Sequence, residues 1–283
     1  MPDIVNTAEP RLLIVATPIG NLNDISFRAV ELLHQVDLIA AEDTRHSARL
    51  LAHYGIRTPV IACHEHNEST IAEGLIEKMR QGTRIALISD AGTPLVSDPG
   101  FELVRKTLAA GISVTSVPGP AALISALSVS GLPVHRFAFE GFLSAKAAGR
   151  KKQLQALRRE ARTLILYEAP HRMQALFNDL VSVLGEDRPA FVAREMTKTF
   201  EQFNRGTVGE ICAMLTTGHI PLKGEFVVIV GGYEGESELS EWEGLMAQML
   251  DVISPARAAA ILSQHTGMPK KLFYDLAVRL KSG

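Results

Sequence analysis

Apolar runs of strand length alternate with segments of helical period through the first 120 residues, and that alternation leaves few architectures open. The runs are RLLIVAT (11–17), VDLIAAE (36–42), PVIACH (59–64), TRIALISD (83–90) and ISVTSV (112–117), with helical patterns at 26–35, 47–54, 69–80 and 99–110 between them. Five such steps predict a parallel α/β unit of ordinary domain size. Beyond Pro120 the rhythm changes. RFAFEGFL, RTLILYE, PAFVARE, TFEQFNRGTV and EFVVIVGG are strand-rich and separated by fewer helices, which predicts a mixed sheet. The expected fold class is α/β: a mostly parallel N-terminal sheet over 11–122, a mixed C-terminal sheet over 123–233 and a small helical extension over 240–283. Residues 1–10 read as a short arm, and the polar stretch YEGESELSEWEG (233–244) as a separator.

The extension holds Ser254-Pro255, an N-cap with proline at the first helical position, and a Gly-Met-Pro break at 267–269. Two helices joined by a tight turn result. A packing cap and a nucleic-acid-reading element both fit that geometry, and the cap is the commoner use.

Composition narrows the function classes. With 29 Lys+Arg against 31 Asp+Glu, the formal net charge is −2, so a polyanion would have to be held by a local basic surface. Two cysteines are too few for a disulfide framework, which fits a reducing, cytoplasmic setting. No secretory pattern and no apolar run of membrane-spanning length is present, and no G-x-G-x-x-G follows the first strand, which weakens a dinucleotide reading.

In parallel α/β folds ligands gather beyond the carboxyl ends of the strands. Those ends here are polar and rich in Gly and Pro: TPIGN (17–21), EDTRH (42–46), HEHNE (64–68), SDAGTPLVSDPG (89–100) and VPGPAA (117–122). In the longest, Gly92 lets a ligand approach the backbone while Pro94 and Pro99 stiffen the path. Its end also reads as a cap for the next helix, with Ser97 or Asp98 as N-cap and Pro99 at N1. That leaves Asp90 to Thr93 without a structural task. His64 and His66 are spaced like a metal pair, but they have no cysteine nearby, and a polar loop is the preferred reading; no metal is expected. His171, in a first helical turn after Pro170, suits capping or solvation as well as catalysis.

The ordered series VATPIGNLND, AEDTR, HEHNE, SDAGTPLVSDPG, VPGPAA, SGLP, GFL followed by Lys146, YEAPHR, REMTK and KGEFVVIV resembles the tetrapyrrole methylase superfamily, in its branch acting on small-subunit ribosomal RNA. The resemblance spans 12–232. It implies a two-domain α/β homodimer that binds S-adenosylmethionine in a cleft and methylates the ribose 2'-hydroxyl of a cytidine in the decoding region of 16S rRNA, within the small ribosomal subunit. By position, it implies cofactor contacts from Pro18, Asp90, Ala91, Gly92, Thr93, Leu95, Ala121 and Ala122, and from Glu168, Arg194, Lys223, Gly224 and Glu225. Tetrapyrrole-methylating members carry Gly-Asp-Pro where this chain has Gly92-Thr93-Pro94, which leaves Asp90 as the substitute acid.

Methyl transfer to a hydroxyl needs in-line positioning and either a base or a cation that makes the alkoxide accessible. The charged groups at strand ends are Glu42, Asp43, Arg45, His64, Glu65, Glu195 and Lys198. The expected assignment is Lys198 with Glu195 near the acceptor, and Arg45 or Arg194 as orienting cations. Between 146 and 162 lie Lys146, Arg150, Lys151, Lys152, Arg158, Arg159 and Arg162 against Glu160 alone. A helix docked through Leu154, Leu157 and Ala161 would turn that charge outward as a phosphate-contacting surface. Two other functions share these features: a methyltransferase of the same fold acting on a tetrapyrrole or other small molecule, and a nucleic-acid-binding regulator that reads a groove through its tail.

Overall fold

A computed structural model describes residues 11–233 and 239–282; the expected arm at 1–10 lies outside them. One compact unit runs to Gly231 and a second begins at Gly232. In the first, β1 (Arg11–Val15), α1 (Phe27–Gln35), β2 (Leu38–Ala41), α2 (Thr44–His53), β3 (Val60–Ala62), α3 (Glu68–Arg80), β4 (Ile85–Ile88), α4 (Phe101–Ala109) and β5 (Ser113–Val117) build a parallel sheet ordered β3-β2-β4-β1-β5. Each of the five apolar runs is a strand. The sheet is buried on both faces: Leu13, Val15, Ile39 and Ile88 pack under α1 and α2, and Leu12, Ile85 and Leu87 under α3 and α4. Strands with no solvated face read as continuous apolar runs, which is why they were legible.

After α5 (Ala122–Ser130) come β6 (Phe137–Phe142), α6 (Ala147–Ala156), β7 (Thr163–Glu168), α7 (Met173–Leu184), β8 (Pro189–Arg194), β9 (Gln202–Thr207), α8 (Val208–Thr216) and β10 (Phe226–Val230). They form a mixed sheet ordered β6-β7-β10-β8-β9, parallel between β6 and β7 and antiparallel elsewhere. One face packs on α7 and α8 through Leu164, Leu166, Phe177 and Ile211; the other packs on α5 through Leu127, Ile165, Phe191 and Ile229. Ile19, from the loop after β1, enters that second cluster, so a loop of the first sheet packs into the core of the second.

Helix starts follow from side chains that satisfy orphan N–H groups. Ser26 accepts from Ala29 N at 3.1 Å, Asp43 from Arg45 N at 2.8 Å, and Thr207 with Glu210 closes a capping box. The expected cap of α4 by Ser97 or Asp98 is corrected. The N-cap is Gly100, at φ 125°, and the α4 N–H groups of Gly100 and Leu103 instead donate to the buried carboxylate of Glu68, at 3.1 and 2.7 Å. Glu68 stands at the start of α3, so one helix caps the next.

The second unit contains α9 (Leu239–Leu250), α10 (Pro255–Thr266) and α11 (Lys270–Ser282), which close on Met246, Leu262, Phe273 and Leu276. Residues 239–244, expected to belong to a separator, are therefore helical. The predicted turn is present, with Gly267 left-handed at φ 77°, as a helix C-cap commonly requires. Among the described residues no helix is long and apolar enough to cross a membrane.

Candidate active site

The loops after β1, β4 and β5 are stitched into one rim. Thr17 and Gly92 exchange backbone hydrogen bonds of 2.8 and 3.0 Å, the Thr17 hydroxyl donates to Ser89 O at 3.0 Å, and the Thr93 hydroxyl donates to Pro120 O at 3.1 Å. Across from them stand the ends of β7, β8 and β10. Between the two sets lies a cavity of about 390 Å³, walled on one side by Ile19, 91–93, 96–98 and 121–123, and on the other by Phe142, 167–170, Ala193, Met196 and 224–227. Its volume and its apolar walls with few polar groups are those of a small-molecule site.

Of the residues expected to contact the cofactor, Ala91, Gly92, Thr93, Ala121, Ala122, Glu168, Gly224 and Glu225 line this cavity. Pro18, Asp90, Leu95, Arg194 and Lys223 do not line it. Pro18 is buried beside Ile19. Leu95 packs into the apolar cluster beneath α3 and α4. Asp90 turns to the ends of β2 and β4, accepting from Asp43 N at 3.2 Å, while its own N–H donates to Glu42 at 3.2 Å. The acid that this loop contributes to the cavity wall is Asp98. Its missed signal is sequence proximity: the helix-cap reading of Ser97-Asp98-Pro99 concealed a loop that continues to Gly100.

Arg194 acts on backbone. Its guanidinium donates to Lys223 O at 2.7 Å and Phe200 O at 3.1 Å, tying the loop after β8 to the one before β10. Glu195 completes that tie by accepting from Glu225 N at 2.9 Å, and its own N–H donates to Glu225 O at 3.0 Å. Lys198 Nζ lies 3.0 Å from Glu195 and 3.2 Å from Glu225. Burial alone would depress the Lys198 pKa, but the hydrogen bonds and charges of Glu195 and Glu225 outweigh it and raise it. Lys198 and Glu195 are thus together, as expected, and both carboxylates favour the ammonium form of Lys198 over the neutral amine that a base requires. Gly20 is needed beside it, since a Cβ there would sit 2.5 Å from Lys198 Cγ. Arg45 is displaced from the site: its side chain is 92% exposed and pairs at 3.5 Å with Asp43.

Glu168 is 3% exposed, and its Oε2 has no hydrogen-bond partner. Oε1 accepts from Ala169 N at 2.8 Å and lies 3.0 Å from Arg172 Nε. Burial nonetheless raises its pKa, opposed by that N–H and by Arg172. An unpartnered buried acceptor on a cavity wall calls for a donor from a ligand. Backbone strain is concentrated here as well. Among the described residues the non-glycine residues at positive φ are Leu95, Ser97, Glu195 and Thr197, all in the two loops that flank the cavity.

Of the basic run, Lys146, Lys151, Lys152, Arg158 and Arg159 are exposed on α6 and the turn after it. Arg150 corrects the expectation: it is 4% exposed and grips Asp179 with Nε and Nη2, both at 2.7 Å. Leu154 anchors the helix as predicted, whereas Ala161 is exposed. His64 and His66 pack edge to face, 6.0 Å between ring centres.

The family model for Tetrapyrrole (Corrin/Porphyrin) Methylases matches residues 11–212. Proteins named "Ribosomal RNA small subunit methyltransferase I" are 50% identical in Xylella fastidiosa, over 93% of this chain and 97% of that relative, and 50% identical in Pseudomonas aeruginosa, over 95% and 96%. The Escherichia coli O157:H7 relative is 46% identical over 96% of each. Among solved structures, uroporphyrin-III-C-methyltransferase from Thermus thermophilus superposes with a TM-score of 0.57 at 21% identity, over 79% of this chain and 94% of that one. Diphthine synthase gives 0.59 at 13%, over 78% and 90%. A further Thermus thermophilus structure with this fold, at a TM-score of 0.56, 21% identity and coverage of 78% and 97%, is titled as complexed with S-adenyl homocysteine. The chain belongs to the tetrapyrrole methylase family, in the group of ribosomal RNA small subunit methyltransferase I proteins.

Proposed function

We propose that this protein is an S-adenosylmethionine-dependent methyltransferase of small-subunit ribosomal RNA, acting on the ribose 2'-hydroxyl of a decoding-region cytidine, in the cytoplasm and as a homodimer. The observation that carries the reading is the cavity between the two sheets, whose Gly92, Thr93, Ala121 and Ala122 face Glu168 and Gly224 in a chain so close to relatives of that name. The residues present fit the cofactor. Small side chains at Ala91, Gly92, Ala121 and Ala122 leave backbone accessible, and Glu168 Oε2 supplies an acceptor for its polar groups. When bound, S-adenosylmethionine supplies an electrophilic methyl group on a sulfonium. The protein supplies the rest: apolar walls that exclude water, and the Arg194 and Lys198 ties that hold the two loops of the second wall to each other.

RNA is assigned to the exposed surface of Lys146, Lys151, Lys152, Arg158 and Arg159; Lys146 follows the cavity residue Phe142 by four positions. The decisive experiment offers the protein a labelled methyl donor with naked 16S rRNA, assembled small subunits or a tetrapyrrole. Ribose methylation in either RNA arm is expected; transfer to the tetrapyrrole alone, or to none, overturns the reading. Changing Lys146, Lys151 and Lys152 to Glu should weaken RNA binding and flatten its salt dependence by about two to three phosphate contacts, with donor binding unchanged. An unaltered salt slope removes this surface from the reading.

A further inference from the structure

We propose that Asp98 is the catalytic base of this site, taking the proton of the acceptor hydroxyl as that oxygen receives the methyl group; the assignment rests on the methyl-transfer reading above. Four observations carry it.

Asp98 lies in the cavity wall, flanked by 96–97 and opposite Tyr167 and Glu168. It has been released from capping, because Gly100 is the N-cap of α4 and Glu68 satisfies the helix N–H groups. The loop that carries it is over-determined on both sides. Leu95 and Ser97 are held at φ 74° and 68°, Pro99 follows, and a Cβ on Gly100 would lie 2.6 Å from Leu87. A costly backbone conformation that the surroundings enforce places Asp98 in the cavity wall, with the Ser89 side chain as its hydrogen-bond partner.

The groups bearing on Asp98 are Ser89 and Asp90 from the end of β4, Glu42 from the end of β2 and Tyr167 from β7. The charged ones, Glu42 and Asp90, are both acids. Burial first, then Glu42 and Asp90, push the Asp98 carboxyl up to about 6 against a lowering contribution from Ser89. A carboxylate in that range is mostly ionised at neutral pH yet far more basic than an ordinary one. The other charged groups have other tasks: Glu195 and Glu225 hold Lys198 and favour its ammonium form, and Glu168 accepts from Ala169 N and pairs with Arg172 through Oε1, while its open Oε2 is the acceptor assigned to the cofactor.

In the step assigned to it, the acceptor O–H bond breaks and its proton goes to the Asp98 carboxylate. The oxygen's electron pair forms the O–CH3 bond, and the pair of the broken C–S bond stays on sulfur. A carboxylate and a sulfonium charge vanish together, which a poorly solvated cavity favours.

The test is Asp98→Asn in the full chain, with Asp98→Glu beside it. For Asp98→Asn, kcat should fall by about 100-fold or more, while RNA KM and the Kd for S-adenosylhomocysteine stay within about threefold; Asp98→Glu should recover part of kcat. The wild-type rate should drop about tenfold per pH unit below about 6, and Asp98→Asn should lose that acid limb. A readout independent of turnover is thermal stability without ligand. Ionising Asp98 opposes folding, so Asp98→Asn should melt higher than wild type at neutral pH, with the gap closing as wild-type Asp98 protonates through about 6. An unchanged kcat, an unchanged acid limb, or a loss of S-adenosylhomocysteine affinity matching the loss of rate overturns the proposal. No RNA methylation by the wild type would overturn the substrate reading along with it, whereas a normal wild type and an unaffected Asp98→Asn variant overturn this proposal alone.

Discussion

Lys198 holds its ammonium 3.0 Å from the Glu195 carboxylate, and the same nitrogen reaches Glu225 at 3.2 Å. The trio pins the loop after β8 to the loop before β10, and both contribute to the cavity wall. Lys198 binds its proton more tightly folded than unfolded, so its contribution is complete below its ordinary 10.5 and is lost only as pH rises through the folded value. Glu195 is pulled upward by burial, but Lys198 and the Glu225 N–H outweigh this and lower it. Its contribution is present above 4.5 and lost as pH falls through the folded value.

Lys198→Met should therefore cost about 1 to 2 kcal/mol of stability, with the difference from wild type constant between about pH 6 and 9. Thermal melts across pH check this. The pH–rate profile of the wild type should carry no inflection from Lys198 in that window; one that disappears in Lys198→Met would make Lys198 the base instead.

Gly224 stands at φ 87°, and a Cβ there would overlap the Glu195 side chain. Gly218 has a similar φ of 76° but open space around it. Gly218→Ala should cost about 1 kcal/mol through backbone strain alone, and Gly224→Ala about 2 to 3 kcal/mol. Calorimetric S-adenosylhomocysteine binding should weaken only for Gly224→Ala. Equal melting temperatures for the two variants would show that the Glu195 contact is dispensable.

Glu68 caps a helix whose N-cap, Gly100, lies 32 residues after it. Replacing it with Ala leaves two buried N–H groups without an acceptor and should cost about 1 to 3 kcal/mol in urea unfolding, whereas Gln keeps one acceptor and should cost less. Activity should fall further than stability explains, because Glu68 anchors the loop that carries Asp98.

Arg150→Met should destabilise by about 3 kcal/mol, since it strips Asp179 of its buried partner, and pairing it with Asp179→Leu should recover much of that loss. The salt dependence of RNA binding should not change. A salt slope reduced as far as by the joint Lys146, Lys151 and Lys152 substitutions would place Arg150 on the RNA surface after all.

Three kinds of information separate in this molecule. Strand positions and the change from parallel to mixed sheet were legible at 11–17 or 225–232 because burial of both faces leaves long apolar runs, a property of neighbouring residues. Arg150 was not legible as a core residue. Its neighbours Lys151 and Lys152 have the same charge, and Lys151 even reaches the same Asp179 at 3.5 Å; that Arg150 is the one buried against Asp179, 29 positions away, is decided by packing. Asp98 was obscured by a local rule: Ser-Asp-Pro is a good helix start, but Glu68, 30 positions upstream in the chain, had already taken that task.

Local pattern was thus enough for the α/β class, the element order, the loops that carry polar residues and the helical tail, because these depend on propensity and periodicity along the chain. Protonation and orientation were settled only by tertiary packing. The ammonium form of Lys198 is favoured because two carboxylates from separate loops meet it, and the Asp98 carboxyl is pushed up because burial, Glu42 at the end of β2 and Asp90 at the start of its own loop bear on it. Desolvation and charge act through space over a few ångströms, and sequence separation carries no measure of that distance.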